Sequence, residues 1–198
     1  MNTSNTPTPL TVITIGATTM LAGAVRELLS RGATVFSVSR APERLSVPAQ
    51  YASHYIPVPA NWKDPLGISE KLIAALQAAH TTTVDAALIW IHSAYRPAVV
   101  KHIEPIINPQ GMLMHVWGTA GILKSERLRT RNIDTRHVIL GSVADMYSSR
   151  WLNHEEISGA VIHAWDYPHC ATPPLAQVPV CLIEESTPVK VFQVGDRY

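Results

Sequence analysis

Apolar runs of strand length alternate with segments of helical period along most of the chain. "TVITI" (11–15) is a short β-branched run of the kind buried on both faces of a parallel sheet. "MLAGAVRELLSRG" follows, with Leu21, Val25, Leu28 and Leu29 on one helical face and Gly32 as the stop signal. "ATVFSVSR" (33–40) predicts a second strand, "SHYIPVP" (53–59) a third and "ISEKLIAALQAAH" (68–80) a helix. A strand over 84–93, a helix over 97–107, and strands over 111–120 and 136–143 continue the alternation. Strand and helix in steady succession imply right-handed crossovers and a parallel sheet. No internal repeat is visible, so residues 11–198 read as one domain behind a disordered polar lead-in, residues 1–10. Residues 166–198 form an extension whose apolar runs, joined by Ser186, Thr187 and Pro188, predict a hairpin or a pair of edge strands.

In a sheet of this kind, ligands bind at the carboxyl ends of the strands, near the point where strand order reverses. The expected cleft therefore collects Gly16 to Gly23, Ser39 and Arg40, His92 and Ser93, Gly118 and Thr119, and Gly141 to Val143. "IGATTMLAG" (15–23) forms its first turn, where a pyrophosphate needs backbone N–H groups at a helix start and small residues around them. Gly16 supplies the tight turn, while Thr19 and Ala22 occupy the places of the second and third glycines of a dinucleotide fingerprint. Thr19 is the serious departure, because a β-branched residue resists positive φ, although its hydroxyl offers a donor to phosphate. At the end of the second strand stand Ser39 and Arg40, with Arg44 close behind, where an NAD-binding chain places a carboxylate. Arginine there suits a 2′-phosphate, so NADP(H) is the expected cofactor.

The segment "VITIGATTMLAGAVRELLSRGATVFSVSR" resembles the opening of short-chain dehydrogenase/reductase proteins, whose atypical members often read G-A-T-G-x-x-G at this turn. "SSRWLNHEEISGAVIHAW" (148–165) is similar to the late helix of that superfamily, and "LIWIHS" and "MHVWGTA" resemble a small bacterial branch of it. The resemblance covers roughly residues 11–165. It implies an α/β, three-layer, Rossmann-like doubly wound and mainly parallel sheet. The expected cofactor set is Gly16, Ala17, Thr18, Thr19, Met20, Leu21, Ser39, Arg40, Asn61, Ile91 and Gly118. The activity implied is NADPH-dependent reduction of a small carbonyl, enone or imine.

Departures from that family pattern shift the choice of proton carriers. None of the six tyrosines has lysine four residues later, and about 16 residues separate Thr119 from the next strand, too few for the usual catalytic helix. Thr119 matches the place of the family's serine, and Ile91, His92, Ser93 and Ala94 replace its Asn-Asn-Ala-Gly run. His92, Ser93 and Tyr95 are the preferred catalytic cluster, with Thr119 and His115 as further candidates. His115 lies among Met112, Met114 and Val116, where a core role competes with a chemical one. Two readings stand beside the reductase: a non-redox isomerase, dehydratase or cyclase using the cleft histidines, and a sensor of NADP(H) or a metabolite without turnover.

"RWLNHEEIS" reads structurally, with Asn153 as N-cap, Glu156 completing a capping box and Arg150 anchoring the segment. Trp151 and Trp165 are expected to pack. A composition of 46% hydrophobic and 16% charged residues over 198 positions suits a folded chain able to bury a core. A formal charge of +1 and no basic stripe argue against nucleic acid, which leaves a small-molecule substrate as the expected partner. MNTSNTPTPL has neither the basic nor the apolar region of a signal peptide, and no apolar stretch suits a membrane span. Cys170 and Cys181 have no metal-ligand or C-x-x-C spacing, and His154 and His163 have no ligand spacing. The expectations are a reduced cytoplasmic protein without metal, assembled as a homodimer or homotetramer.

Overall fold

The computed structural model describes residues 10–118, 133–144, 149–167 and 180–184. Six parallel strands and one antiparallel edge strand form a seven-stranded sheet of order β3-β2-β1-β4-β5-β6-β9. The parallel strands are β1 (Thr11–Ile15), β2 (Thr34–Ser39), β3 (Tyr55–Pro59), β4 (Val84–Ile89), β5 (Ile107–Gly118) and β6 (Asp134–Leu140). β9 (Val180–Glu184) runs antiparallel on β6 and falls in the first apolar run of the predicted tail extension. The order reverses between β1 and β4, which is the Rossmann-like, doubly wound arrangement expected, and the reversal opens a crevice at the carboxyl ends of those strands.

Helices cover both faces, as strands buried on both sides require. α1 (Ala22–Ser30) and α4 (His154–Asp166) pack on one face, burying Val25, Leu28, Leu29, Ile157 and Val161 against Val12, Val35, Leu88, Met114 and Val138. α2 (Pro65–Ala78) and α3 (Arg96–Ile103) cover the other, where Ile68, Leu72, Val99 and Ile103 meet Ile13, Phe36, Ile89 and Leu113. Full burial of each such large apolar side chain contributes about 1.5–3 kcal/mol. Local signals fix the helix ends. Gly32, at φ +85°, stops α1 as predicted, and Asp64 caps α2 by accepting from the Gly67 N–H at 3.0 Å, so that α2 starts ahead of the predicted Ile68.

Several boundaries differ from the sequence reading, each for a pairing reason. β4 stops at Ile89 and not at Ser93, because its partner β1 ends at Ile15. Trp90 N–H still donates to the Ile15 carbonyl at 2.9 Å, and the chain then leaves the sheet, so His92 and Ser93 stand in a loop. α3 ends at Ile103, and a short 3-10 turn over Glu104–Ile106 leads directly into β5 at Ile107. The predicted strand over 136–143 divides: β6 ends at Leu140, while β7 (Ser142–Ala144) pairs antiparallel with β8 (Ser149–Trp151) as a separate ribbon. The late helix begins at His154, directly after the predicted N-cap Asn153. The lead-in through residue 9, the linker from 168 to 179 with Cys170, and the second tail run lie outside the described residues.

Candidate functional site

A cavity of about 620 Å³ opens at the carboxyl end of the sheet, beside the β1/β4 reversal. The first turn, Gly16, Thr19 and Met20, forms part of its wall. Gly16 has φ +78°, its N–H donates to the Val38 carbonyl at 3.0 Å, and any Cβ there would collide with the Trp90 carbonyl oxygen. Glycine is therefore demanded twice, by backbone conformation and by the close approach of β4. Thr19 stands on ordinary negative φ, since His80 is the non-glycine residue with positive φ among those described, so its β-branch imposes no strain. Gly23 serves packing, because a Cβ would meet the Ser158 side chain at 2.9 Å, and its absence lets α1 and α4 approach.

The N-terminus of α1 is bare. Leu21 occupies the N-cap position, no side chain makes a capping hydrogen bond, and no acidic residue sits in the first turn. A nine-residue helix thus presents its positive dipole end to the cavity with backbone donors available to an anion. The Ala17 and Leu21 side chains are fully buried, so these two expected cofactor residues can face a ligand only through backbone, while Thr18 is half-buried.

At the end of β2, Ser39 is buried and its hydroxyl accepts from the Ala41 N–H at 3.3 Å. Arg40 is exposed, with its guanidinium 5.3 Å from the ring centre of Trp62, a cavity-lining residue. Asn61 is exposed beside it, and its side-chain oxygen accepts from the Lys63 N–H at 3.1 Å. No hydrogen bond or ion pair engages the Arg40 side chain among the described residues.

The opposite wall brings Ile91, His92, Ser93 and Gly118 together, as the strand-end argument expects. His92 is exposed and Ser93 half-buried. A Cβ on Gly118 would meet nothing within 4 Å, so the end of β5 leaves open space beside the chain. Tyr95 holds the N-cap position of α3, donating its N–H to the His92 carbonyl at 3.1 Å, and lies off the cavity lining. His115 is fully buried and also off the lining. Thr119 lies outside the described residues.

Arg96, the first residue of α3, was not singled out by the sequence, yet it organises this wall. It is 2% exposed, and its guanidinium donates to the Ile89, Ile91 and Val116 carbonyls at 3.3, 2.9 and 2.8 Å. The same group lies 3.2 Å from His115 Nδ1 and 3.7 Å from the ring centre of Trp117. Arg96 so ties the carboxyl ends of β4 and β5 together at the crevice. Burial pushes its pKa down to about 9. Burial, then the neighbouring Arg96 and His137, hold the His115 imidazole well below its ordinary pKa. A neutral His115 accepting from Arg96 through Nδ1 carries its proton on Nε2, which has no hydrogen-bond partner among the described residues.

The sequence reading also missed the aromatic wall: Trp62, Trp90, Trp117 and Trp151 all line the cavity. Trp151, expected to pack, is 66% exposed on the cavity rim, because β8 carries it out on the two-stranded ribbon. Trp165 does pack against the α1/α4 core. The available signal was positional, since Trp62, Trp90 and Trp117 each fall at or just beyond the end of a parallel strand. Just below Trp151, Asn153 and Glu156 form the predicted capping box, with bonds of 2.9 and 2.8 Å, and Arg150 grips the Glu156 carboxylate through both terminal nitrogens at 2.8 and 2.7 Å. Among the described residues no three His, Cys, Asp or Glu side chains gather as a metal site needs, and no helix is long and apolar enough to cross a membrane.

No family model matches the chain, and no curated protein matches it. Solved structures match its fold. An NADH-dependent reductase A1-R′ complexed with NAD superposes with a TM-score of 0.58 at 12% identity, over 79% of this chain and 90% of that one. A putative epimerase from Bacteroides thetaiotaomicron gives 0.55 at 14% identity, over 82% and 93%. A 3-ketoacyl-(acyl-carrier-protein) reductase from Brucella melitensis complexed with NADH matches over 56% of this chain at 15% identity, with a TM-score of 0.48. The chain matches only 57% of that reductase's length and 50% of a short-chain dehydrogenase from Streptomyces avermitilis. The two fuller matches establish the class of fold, a Rossmann-like α/β sheet.

Proposed function

We propose that the protein is an NADPH-dependent reductase of the short-chain dehydrogenase kind, acting on a small carbonyl, enone or imine. The observation that carries the reading is the bare N-terminus of α1, which opens on a cavity at the topological switch point of the sheet. Gly16, Thr18, Thr19 and Met20 would hold the pyrophosphate through backbone N–H groups and the threonine hydroxyls. Arg40, lying over Trp62 with no carboxylate beside it at the strand end, would pair with the 2′-phosphate. Ile91 and Gly118 would flank the nicotinamide, and the bound cofactor would supply a hydride.

His92 is the proton donor of this reading, because it is the titratable side chain exposed on the cavity wall beside Ser93. Ser93 would hydrogen-bond the acceptor oxygen or nitrogen. Arg96 holds the β4 and β5 ends on which both residues depend, which makes it a positioning residue.

Calorimetric titration of the purified protein with NADPH and with NADH tests the reading. Micromolar binding with NADPH preferred is the expected result, and Arg40→Ala should lower the NADPH/NADH affinity ratio by roughly tenfold, as the loss of a charge-assisted bond implies. Failure to bind either dinucleotide would overturn it and turn attention to non-redox chemistry on the same scaffold. Once a turned-over acceptor is known, His92→Ala should lower kcat by roughly a hundredfold, and unchanged turnover would remove His92 from its role.

A further inference from the structure

Beyond the residues assigned to the cofactor, one stretch of the cavity wall has no role yet. Trp90, Val116, Leu140, Trp151, Leu152 and Ile157 form it, and every one is apolar. Val116, Leu140, Leu152 and Ile157 are buried members of the core beneath α1 and α4, and Trp90 packs against that core, so this wall continues a hydrophobic interior. His92 and Ser93 line the same cavity from the loop that leads into α3. An apolar wall with a few polar groups nearby suits an apolar ligand oriented by one polar end.

Trp151 is the exposed member of this wall, with 66% of its surface in water at the rim. Its ring meets neither another ring nor a cation among the described residues. Its backbone, however, is held from both sides. Ser142 pairs with it across the β7/β8 ribbon, and Arg150 donates to the Trp151 carbonyl at 3.1 Å while gripping Glu156 at the start of α4. An indole whose strand is already anchored can cover a flat ring at little further cost in order.

Arg96 gives this wall no anion site. Its terminal N–H groups are engaged by the Ile89, Ile91 and Val116 carbonyls and by His115, its Nε is buried, and Trp117 covers one face. A ligand carboxylate laid against the apolar stretch would lose water without gaining a charged partner among its described residues.

We propose that the substrate end of this cavity takes an uncharged aromatic ketone or aldehyde, its ring covered by Trp151 and its carbonyl directed to His92 and Ser93. The ligand's role as acceptor rests on the reductase reading, while its binding chemistry stands on the apolar wall and Trp151. In that role the carbonyl carbon takes a hydride from NADPH and the oxygen a proton from His92, which gives the aryl alcohol and NADP+. The acceptor narrows from any small carbonyl, enone or imine to a neutral aryl carbonyl.

Calorimetry with three probes tests it, each with and without NADPH: acetylnaphthalene, its acid-bearing form acetylnaphthoate, and the saturated acetyldecalin. Acetylnaphthalene should bind roughly fivefold tighter than acetyldecalin and roughly tenfold tighter than acetylnaphthoate. Trp151→Ala should bring the first ratio to about one with the fold intact by circular dichroism, and Trp151→Phe should keep most of it. Acetylnaphthoate binding as tightly as the ketone, equal binding of the flat and saturated ketones, binding of none, or a first ratio untouched by Trp151→Ala overturns the proposal. Loss of NADPH binding with both ketone ratios as expected defeats the reductase reading and leaves the aromatic site standing. NADPH binding without acetylnaphthalene binding defeats the aromatic site alone.

Discussion

Helices α1 and α4 lie side by side on one face of the sheet and begin at the same cavity, yet their first turns are built in opposite ways. Gly23 lets them touch near their starts at Ser158, and Arg31 of the α1 C-cap joins Asp166 at the end of α4 through bonds of 2.6 and 3.1 Å. α4 is closed by its own chain: Asn153 and Glu156 cap each other, Glu155 and Glu156 answer the dipole, and Arg150 clamps the carboxylate. α1 has neither cap nor acid and is preceded by a glycine turn held against Trp90. A helix start completed by side chains has no use for a ligand, whereas one left open at a cavity can bind an anion. The difference separates a self-capped helix start from an open one within a single layer.

Gly16→Ala attacks the open turn hardest. The added methyl meets the Trp90 carbonyl on a backbone at φ +78°, so urea unfolding should show a loss of at least about 3 kcal/mol. Gly32→Ala is its control, at φ +85° but with nothing within 4 Å, and should cost only about 1 kcal/mol. Equal losses at the two positions would mean that the close approach of β4 is unimportant.

Thr19→Asp makes α1 resemble α4 by adding a carboxylate beside its bare end. Thr19 is exposed, so stability should stay within about 1 kcal/mol of wild type, while NADPH affinity should fall by more than roughly tenfold in calorimetry. Unchanged affinity would show that no phosphate binds there. Asn153→Ala makes the converse change. Loss of the α4 cap should lower stability by about 1 kcal/mol in thermal or urea unfolding and leave NADPH affinity unmoved.

The smallest effect is on pH dependence. Arg150, and then the Asn153 N–H, pull the Glu156 carboxyl from its ordinary 4.5 down to about 2. A carboxylate depressed in the folded state adds stability above its unfolded pKa and loses it as pH falls through the folded value. The gap in unfolding midpoint between wild type and Glu156→Gln should therefore be present at neutral pH and close as pH falls from about 4.5 toward about 2. Because Arg150 is solvent-exposed, that gap should be modest. A gap independent of pH would break the assignment.

Local pattern made much of this molecule legible in the chain. β-branched runs at "TVITI" and "TVFSVS", the helical period from Leu21 to Leu29, Gly32 and the Asn153/Glu156 spacing each act within a few residues, and each appears where it is read. The Gly16 turn was legible for the same reason. The ends of β4 and β6 were not, because a strand stops where its neighbour stops, and Ile15 beside β4 and Gly118 opposite Leu140 lie far from those ends in sequence.

The sequence by itself determined the order of elements, the parallel sheet and the place of the crevice at its carboxyl ends. Tertiary structure alone decided which aromatic side chains line that crevice: Trp62 beyond the end of β3, Trp90 after β4, Trp117 on β5 and Trp151 on β8 share one cavity only because strand order brings those ends together. It also decided that Arg96 and His115, 19 residues apart, share one buried contact. Periodicity reports which face of an element is buried, but burial next to a particular distant side chain depends on register and crossover, which no short stretch of chain encodes.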